Sequence, residues 1–543
     1  MGDGEDMQYI KKSLLLFSFL SFCLCSVFAQ ETTSVEDVSE AKETASEIVV
    51  DAISSAGEGV SKTIEDEENT QVEDEGEEKA EKKKRGGTAT VPAAKKPIQP
   101  TKEEIEEAAK KEDHKSDNYV KKVQDTFAYG LESEISDQID TLVKNEDKRF
   151  VNDIYNMFQL TENNAIREKV LAYFTTIKDP CIEDYAVTIV NDPYDTKKSI
   201  VDAVFKYISA VKCKAATPAV VKLLEDEAED YFNGCINALG EIGGEEEAQF
   251  LADYLDKDDL TTGQRQELMK VLGKLKASST WSKLRDIVED ENENSYVRMY
   301  AAEALGAMEE SASIDVLAEQ YSSTSDANLR VYLVKGLSYF KDAEAQKIIL
   351  QAIRDSFYKV RLEAIETAKK QDMKNAVPYL VYRAKTDSET VVKNACYPAI
   401  AALNTAEGNE FLVSLVTDKK PNDTVKSKAA AALLKEGHAG DKEVVDLAIE
   451  VCKTDAHKQL RYALGKEMAK YERKEFARAC TVFLESKDVS TQGTGLDMWA
   501  KGKYGECKAA VEKIADSTDS RKKPTVTAKK AMRLLGREIP EDK

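Results

Sequence analysis

The sequence predicts an all-α solenoid: a linear stack of helix pairs behind a charged N-terminal stretch that has no core of its own. Three observations carry this. An apolar frame with helical spacing returns about every 33 residues between residues 166 and 527. Charged residues make up 33% of the 543-residue chain and aromatics only 7%, which suits many small repeated cores under a solvated surface. Long β-branched runs, the mark of sandwiches and barrels, are missing. The net charge of −23 repels phosphate backbones, so nucleic acid is not an expected partner. Three histidines leave little for imidazole catalysis or a histidine-rich metal site.

Residues 1–29 read as a secretory signal peptide. Lys11 and Lys12 precede an apolar stretch from Leu14 to Phe28, and Val27-Phe28-Ala29 supplies the small residues of a cleavage site before Gln30. The stretch is shorter than the ~20 residues that span a bilayer. Acidic residues at 3, 5 and 6 are unusual ahead of it, whereas a start at Met7 gives a conventional basic lead-in. Lipidation at Cys23 is disfavoured by the bulky Phe22 before it. The chain is therefore expected to be exported, to a periplasmic or other extracytoplasmic space. A membrane contact is expected only if the leader stays uncleaved or is lipidated. The seven cysteines that remain after cleavage are an odd, widely spaced set and form no disulfide framework; they read as small core hydrophobes.

Residues 30–118 are expected to form a disordered charged tether. From Glu31 to Ala80 there are 17 acids against three lysines; Lys82–Arg85, a Gly pair and three prolines follow. So little apolar surface cannot offset chain entropy. Residues 119–147 carry a helical stripe (Val123, Phe127, Ile135, Ile139, Leu142) and read as an N-terminal cap.

Residues 148–543 are the array. Its clearest frame is Val297-Arg298-Met299-Tyr300-Ala301-Ala302-Glu303-Ala304-Leu305-Gly306, with apolar positions 1, 5, 8 and 9 on one helical face. Copies start at residues 166, 196, 231, 264, 329, 360, 391, 425, 460, 491 and 527. Each is preceded by a second apolar block with an acidic close, as in Ile287-Val288 before Glu289-Asp290, so the unit is two antiparallel helices. Asp326, Asp387, Asp423 and Asp455 stand where a side chain can cap the second helix. Pro218 and Pro378 stand where the start of a first helix tolerates a missing N–H. Pro398 should kink its helix, and Gly493 and Gly495 should weaken theirs. Arginine recurs at frame position two (Arg167, Arg265, Arg298, Arg330, Arg361, Arg461), which predicts a ladder of guanidinium–acid pairs.

The hydrophobe-Arg-x-x-Ala-x-x-Ala-Leu-Gly frame resembles HEAT repeats, including the short HEAT-like units of phycobilisome lyases, over about residues 148 to 537. The period alone admits tetratricopeptide or ankyrin repeats, but their Trp-Leu-Gly-Tyr and Thr-Pro-Leu-His signatures are absent. The resemblance implies an armadillo-like right-handed superhelix of about twelve helix pairs, whose second helices line the concave face, and a protein-binding scaffold role. No lyase active-site residue is recognisable.

The expected function is thus an exported, non-enzymatic scaffold whose partner is another protein of the cell envelope, with no cofactor, metal or catalytic residue. A lyase- or isomerase-like enzyme or enzyme accessory, and a structural envelope element without a discrete ligand, remain alternatives. If frame positions 3, 4 and 7 look into the groove, the candidate partner-binding residues are Met299, Tyr300 and Glu303 with Val331, Tyr332 and Lys335.

Overall fold

The computed structural model describes residues 96–110 and 117–539, all within one compact unit that begins at Thr88. The leader at 1–29, tether residues 30–95 and His114 lie outside the described residues. After the helices Lys102–Lys110, Asp117–Tyr129 and Glu132–Asn145, twenty-four helices run from Val151 to Leu534 as twelve antiparallel pairs. Three consecutive pairs illustrate them: Trp281–Glu289 with Ser295–Ala307, Ala312–Ser323 with Ala327–Leu337, and Ala343–Ala352 with Tyr358–Lys370. Second helices stack on second helices and first on first, giving a HEAT-like α-solenoid. The frame positions fill one continuous core: Val297, Leu305, Leu329, Leu333, Leu337 and Val360 are buried in succession.

Local chemistry sets the helix ends. Asp326 accepts from the Asn328 and Leu329 N–H groups and opens Ala327–Leu337; Asn294 accepts from Tyr296 and opens Ser295–Ala307. Two expected caps differ. Asn422, not Asp423, caps Asp423–Glu436 by accepting from Val425. Asp455 instead faces Arg461, while Asp387 does accept from the Glu389 N–H at 2.9 Å ahead of its helix and also pairs with Arg361. Pro218 and Pro378 stand in the first turns of first helices, and Thr390–Leu403 runs through Pro398 unbroken.

The second-helix layer is packed backbone to backbone at its centre. A Cβ on Gly306 would run into the Gly336 main chain, so the two glycines let Ser295–Ala307 and Ala327–Leu337 meet face to face. Gly495, expected to weaken its unit, has a similar use: a Cβ there would fall 2.8 Å from the Leu484 nitrogen.

The frame arginines form the ladder in part. Arg265, Arg330, Arg361 and Arg461 reach an acid, whereas Arg298 meets the Gln320 amide oxygen at 3.1 Å and Arg167 lies over the Tyr185 ring. The ladder contacts are of two kinds. One is a carbonyl where the preceding first helix closes: Arg298 donates to Val288 O at 3.0 and 2.9 Å, Arg361 to Asp355 O and Ser356 O at 2.9 and 3.0 Å, and Arg167 to Thr161 O at 3.0 Å. The other is an acid in the next unit's turn. Arg330 grips Asp355 with two bonds of 2.9 and 3.0 Å, Arg361 donates to Asp387 at 2.6 Å, and Arg265 lies 3.6 Å from Glu293. The ladder therefore closes helix C-termini and joins successive units at once.

The tether boundary needs correction. Residues 96–110, expected within it, dock on the first two units. Pro97 is buried, the Ile98 N–H donates to Asp179 at 2.7 Å, and the Gln99 and Asn152 amides exchange two bonds of 2.9 and 2.8 Å. Lys148 pairs with Glu104 at 2.7 Å, and that bond, with the Thr101 N–H, holds the Glu104 carboxyl down at about 2. Backbone, amide and ion-pair bonds hold the segment, in which Pro97 is the one buried apolar side chain.

Candidate functional site

A second helix here touches its own first helix and the second helices on either side, so little of its circumference stays open. In Ser295–Ala307, eight of the thirteen residues are buried. Besides Ser295 at its start, what remains is a stripe at i, i+4, i+7 and i+11: Tyr296, Tyr300, Glu303 and Ala307. The next unit repeats it as Asn328, Tyr332, Lys335 and Tyr339.

Four of the six candidate residues meet on these stripes. The Tyr300 and Tyr332 rings lie 5.2 Å apart, tilted by 55°. Lys335 pairs with Glu303 at 2.8 Å and stands 5.6 Å over the Tyr332 ring. The other two differ. Met299 is 4% exposed and belongs to the core, because position three of a helix flanked on both sides falls inside the buried arc. Val331 is half-buried and packs on the core, as the Tyr300 and Tyr332 rings also do, but it lies one position off the open stripe.

The sequence reading missed the rest of the wall. Lys270 of the preceding unit stands 5.3 Å over the Tyr300 ring. Tyr339, with Lys270, Lys274, Tyr300 and Glu303, lines a cavity of about 290 Å³. The residues sit one frame away on the same stripe, so extending the outward positions by one unit and one turn would have found them. Charges alternate along this face: Lys274 meets Glu241 at 2.5 Å and Lys276 meets Glu309 at 2.8 Å. Burial, followed by the neighbouring Tyr300 phenol, pushes the Tyr332 phenol up to about 12. Burial also raises Glu363, partly offset by Lys335 and Lys370. At neutral pH the face therefore offers neutral phenols, fixed ion pairs and an apolar floor, a composition that suits a protein surface.

Groups that could do covalent chemistry lie elsewhere. Cys181, Cys213, Cys235, Cys396, Cys480 and Cys507 are buried free thiols and Cys452 is half-buried. Burial pushes Cys235 and Cys396 up to about 12 and Cys452 to about 11, the opposite of an activated nucleophile. His457 sits 2.9 Å from both Asp423 oxygens. Among the described residues no group of three or more His, Cys, Asp or Glu is placed to hold a metal ion, and no described helix is long and apolar enough to cross a membrane.

No curated protein matches this chain. Among solved structures it is similar to the karyopherin Kap121p bound to the extreme C-terminus of the phosphatase Cdc14p, at 11% identity and a TM-score of 0.37, covering 80% of this chain and 56% of that one. It therefore spans little more than half the karyopherin's length. It is also similar to the CpcE–CpcF phycocyanin lyase from Nostoc, at 18% identity and a TM-score of 0.25, covering 43% and 92%. A third is human deoxyhypusine hydroxylase with glycerol, at 16% identity and 0.22, covering 47% and 96%. The profile that describes the Spirochaete HEAT repeat protein family matches residues 127–534, the whole array with part of its cap, and the chain belongs to that family.

Proposed function

We propose that this chain is an exported, non-enzymatic scaffold that binds another protein of the cell envelope along its second-helix face, between the frames at 264 and 329. HEAT-repeat solenoids are typically protein-interaction scaffolds, and the paired rings of Tyr300 and Tyr332 carry the assignment to this face. They are flanked by Lys270, Glu303, Lys335 and Tyr339 around an open cavity. Half-buried phenols with fixed positions lose little entropy on binding and present both an apolar face and a hydroxyl. The raised thiols argue against the lyase- or isomerase-like alternative. Export rests on the leader-like residues 1–29 and is checked by mass spectrometry of the mature N-terminus, expected at Gln30.

The double variant Tyr300→Ser, Tyr332→Ser tests the face. Affinity capture from the native host with and without the substitutions, alongside thermal melting, gives the readout. Lost capture with melting retained supports the assignment. Capture intact with a clear drop in melting temperature makes the two rings packing and sinks it.

A further inference from the structure

The first-helix layer carries a second site, on the opposite side of the helix pairs from the tyrosine face. Pro378, Tyr379, Tyr382 and Arg383 of the helix Val377–Thr386 form, with Arg354, a cavity of about 440 Å³. Tyr379 and Arg354 are also walls of an adjoining cavity of about 580 Å³, which Tyr321, Lys347, Leu350, Gln351 and Asp355 complete. The two share those walls and form one cleft.

Its charge is opposite to that of the molecule. Lys347 and Arg354 are exposed and make no ion pair with any described residue. Arg383 donates to Ile353 O at 2.9 Å and approaches Asp387 at 3.7 Å, but that carboxylate is already held by Arg361 at 2.6 Å. The acid inside the cleft, Asp355, is spent. Burial works to raise it, yet bonds from Arg330, the Phe357 N–H and the Tyr321 hydroxyl hold it ionised and turned inward. An excess of cations therefore stands in a chain whose net charge is −23. Tyr379 and Tyr382 are exposed large hydrophobics, and Tyr382 lies with its ring 5.8 Å from the Arg383 guanidinium.

We propose that this cleft binds a short acidic peptide segment of a partner protein. Two unpaired cations and an aromatic-backed guanidinium match the carboxylates of spaced Asp or Glu residues. The rings, Leu350 and Pro378 cover the aliphatic stems of those residues. Long polyanions are disfavoured, since nucleic acid or an anionic membrane would meet the negative field of the whole molecule, whereas a short segment meets mainly charges within a Debye length.

Fluorescence anisotropy of the full chain with a fluorescein-labelled hexaglutamate peptide at low salt tests this. Saturable binding is expected, and Lys347→Ser with Arg354→Ser should weaken it at least about tenfold, the loss of one charge-assisted bond or more. Tyr382→Ser should weaken it less, and Lys206→Ser, an exposed lysine elsewhere, should leave it unchanged. All four side chains are exposed, so melting should not move and a lost signal reports the cleft. Non-saturable binding, equal binding of hexalysine, or full affinity in the double variant overturns the proposal. So does equal competition by inorganic phosphate, an oligonucleotide or phosphatidylglycerol vesicles at matched charge, which would make the cleft a general anion site.

Discussion

Arg361 lies with its side chain 6% exposed beside an Asp387 that is fully covered, whereas Arg330–Asp355 stands at 14% and 7% and Arg265–Glu293 at 26% and 24%. The ladder thus has rungs of graded burial, and removing one partner should cost accordingly. Arg361→Ala leaves a buried carboxylate without its main partner and should lose about 3–5 kcal/mol. Arg330→Ala should lose about 1–3 kcal/mol, the range for bonds to a charged, partly covered acid. Arg265→Ala should lose less than about 1 kcal/mol. Denaturant midpoints of the three variants check the order; equal shifts would mean that the rungs do not differ in burial. The Asp355 carboxyl is held below its ordinary value, so the Arg330 rung contributes stability above the unfolded value, near ~4, and loses it as pH falls through the folded one. The melting difference between wild type and Arg330→Ala should therefore shrink as the solution is taken below about pH 4. A difference that stays constant into acid would contradict the pairing.

Among the helices, those that carried a periodic apolar stripe were legible. The frames fall on second helices, because positions 1, 5, 8 and 9 must bury for the pair to form. The frame expected at 391 is one residue early, however: Val391 is 51% exposed, and Val392, Cys396, Ala399 and Ile400 are the buried set. The outward positions were less legible, and Met299 shows why: a helix flanked by two others buries more of its circumference than a hydropathy stripe records. The glycines were legible only in three dimensions. Gly306 and Gly495 both lie inside helices, where composition marks them as weak, yet each fits against a neighbouring backbone. Gly493 has nothing within 4 Å of a Cβ placed on it. Gly306→Ala should therefore destabilise by about 1–3 kcal/mol through overpacking, while Gly493→Ala should stabilise by about 0.5–1 kcal/mol through helix propensity and a less free unfolded chain. Thermal melting of the two variants decides it, and a loss at both positions would contradict the assignment of Gly493 as open. The first-helix cleft left a faint trace in the sequence, Tyr379-x-x-Tyr382-Arg383, but its other walls come from the two preceding units, Tyr321 in one and residues 347–355 in the other.

Across the molecule, the docked segment from 96 to 110 was invisible to hydropathy because main-chain and amide hydrogen bonds fasten it. Its loss should loosen the units it covers. A chain beginning at Asp117 should show faster amide exchange in Val151–Leu160 and Glu183–Asn191 than one beginning at Lys96, since Asp179, Asn152 and Lys148 lose their partners. Identical exchange would show that the segment adds nothing. The account's central claim, that the chain binds a protein along its second-helix face, is tested most directly by site-specific photocrosslinking in intact cells of the native host. A photoreactive side chain at position 335 looks out from that face, and one at position 222 looks out from the exposed side of a first helix. A discrete protein adduct from position 335, missing from position 222 and abolished by Tyr300→Ser with Tyr332→Ser, is the predicted result. An adduct equally strong from both positions, or one from position 335 that survives loss of the two rings, would contradict it.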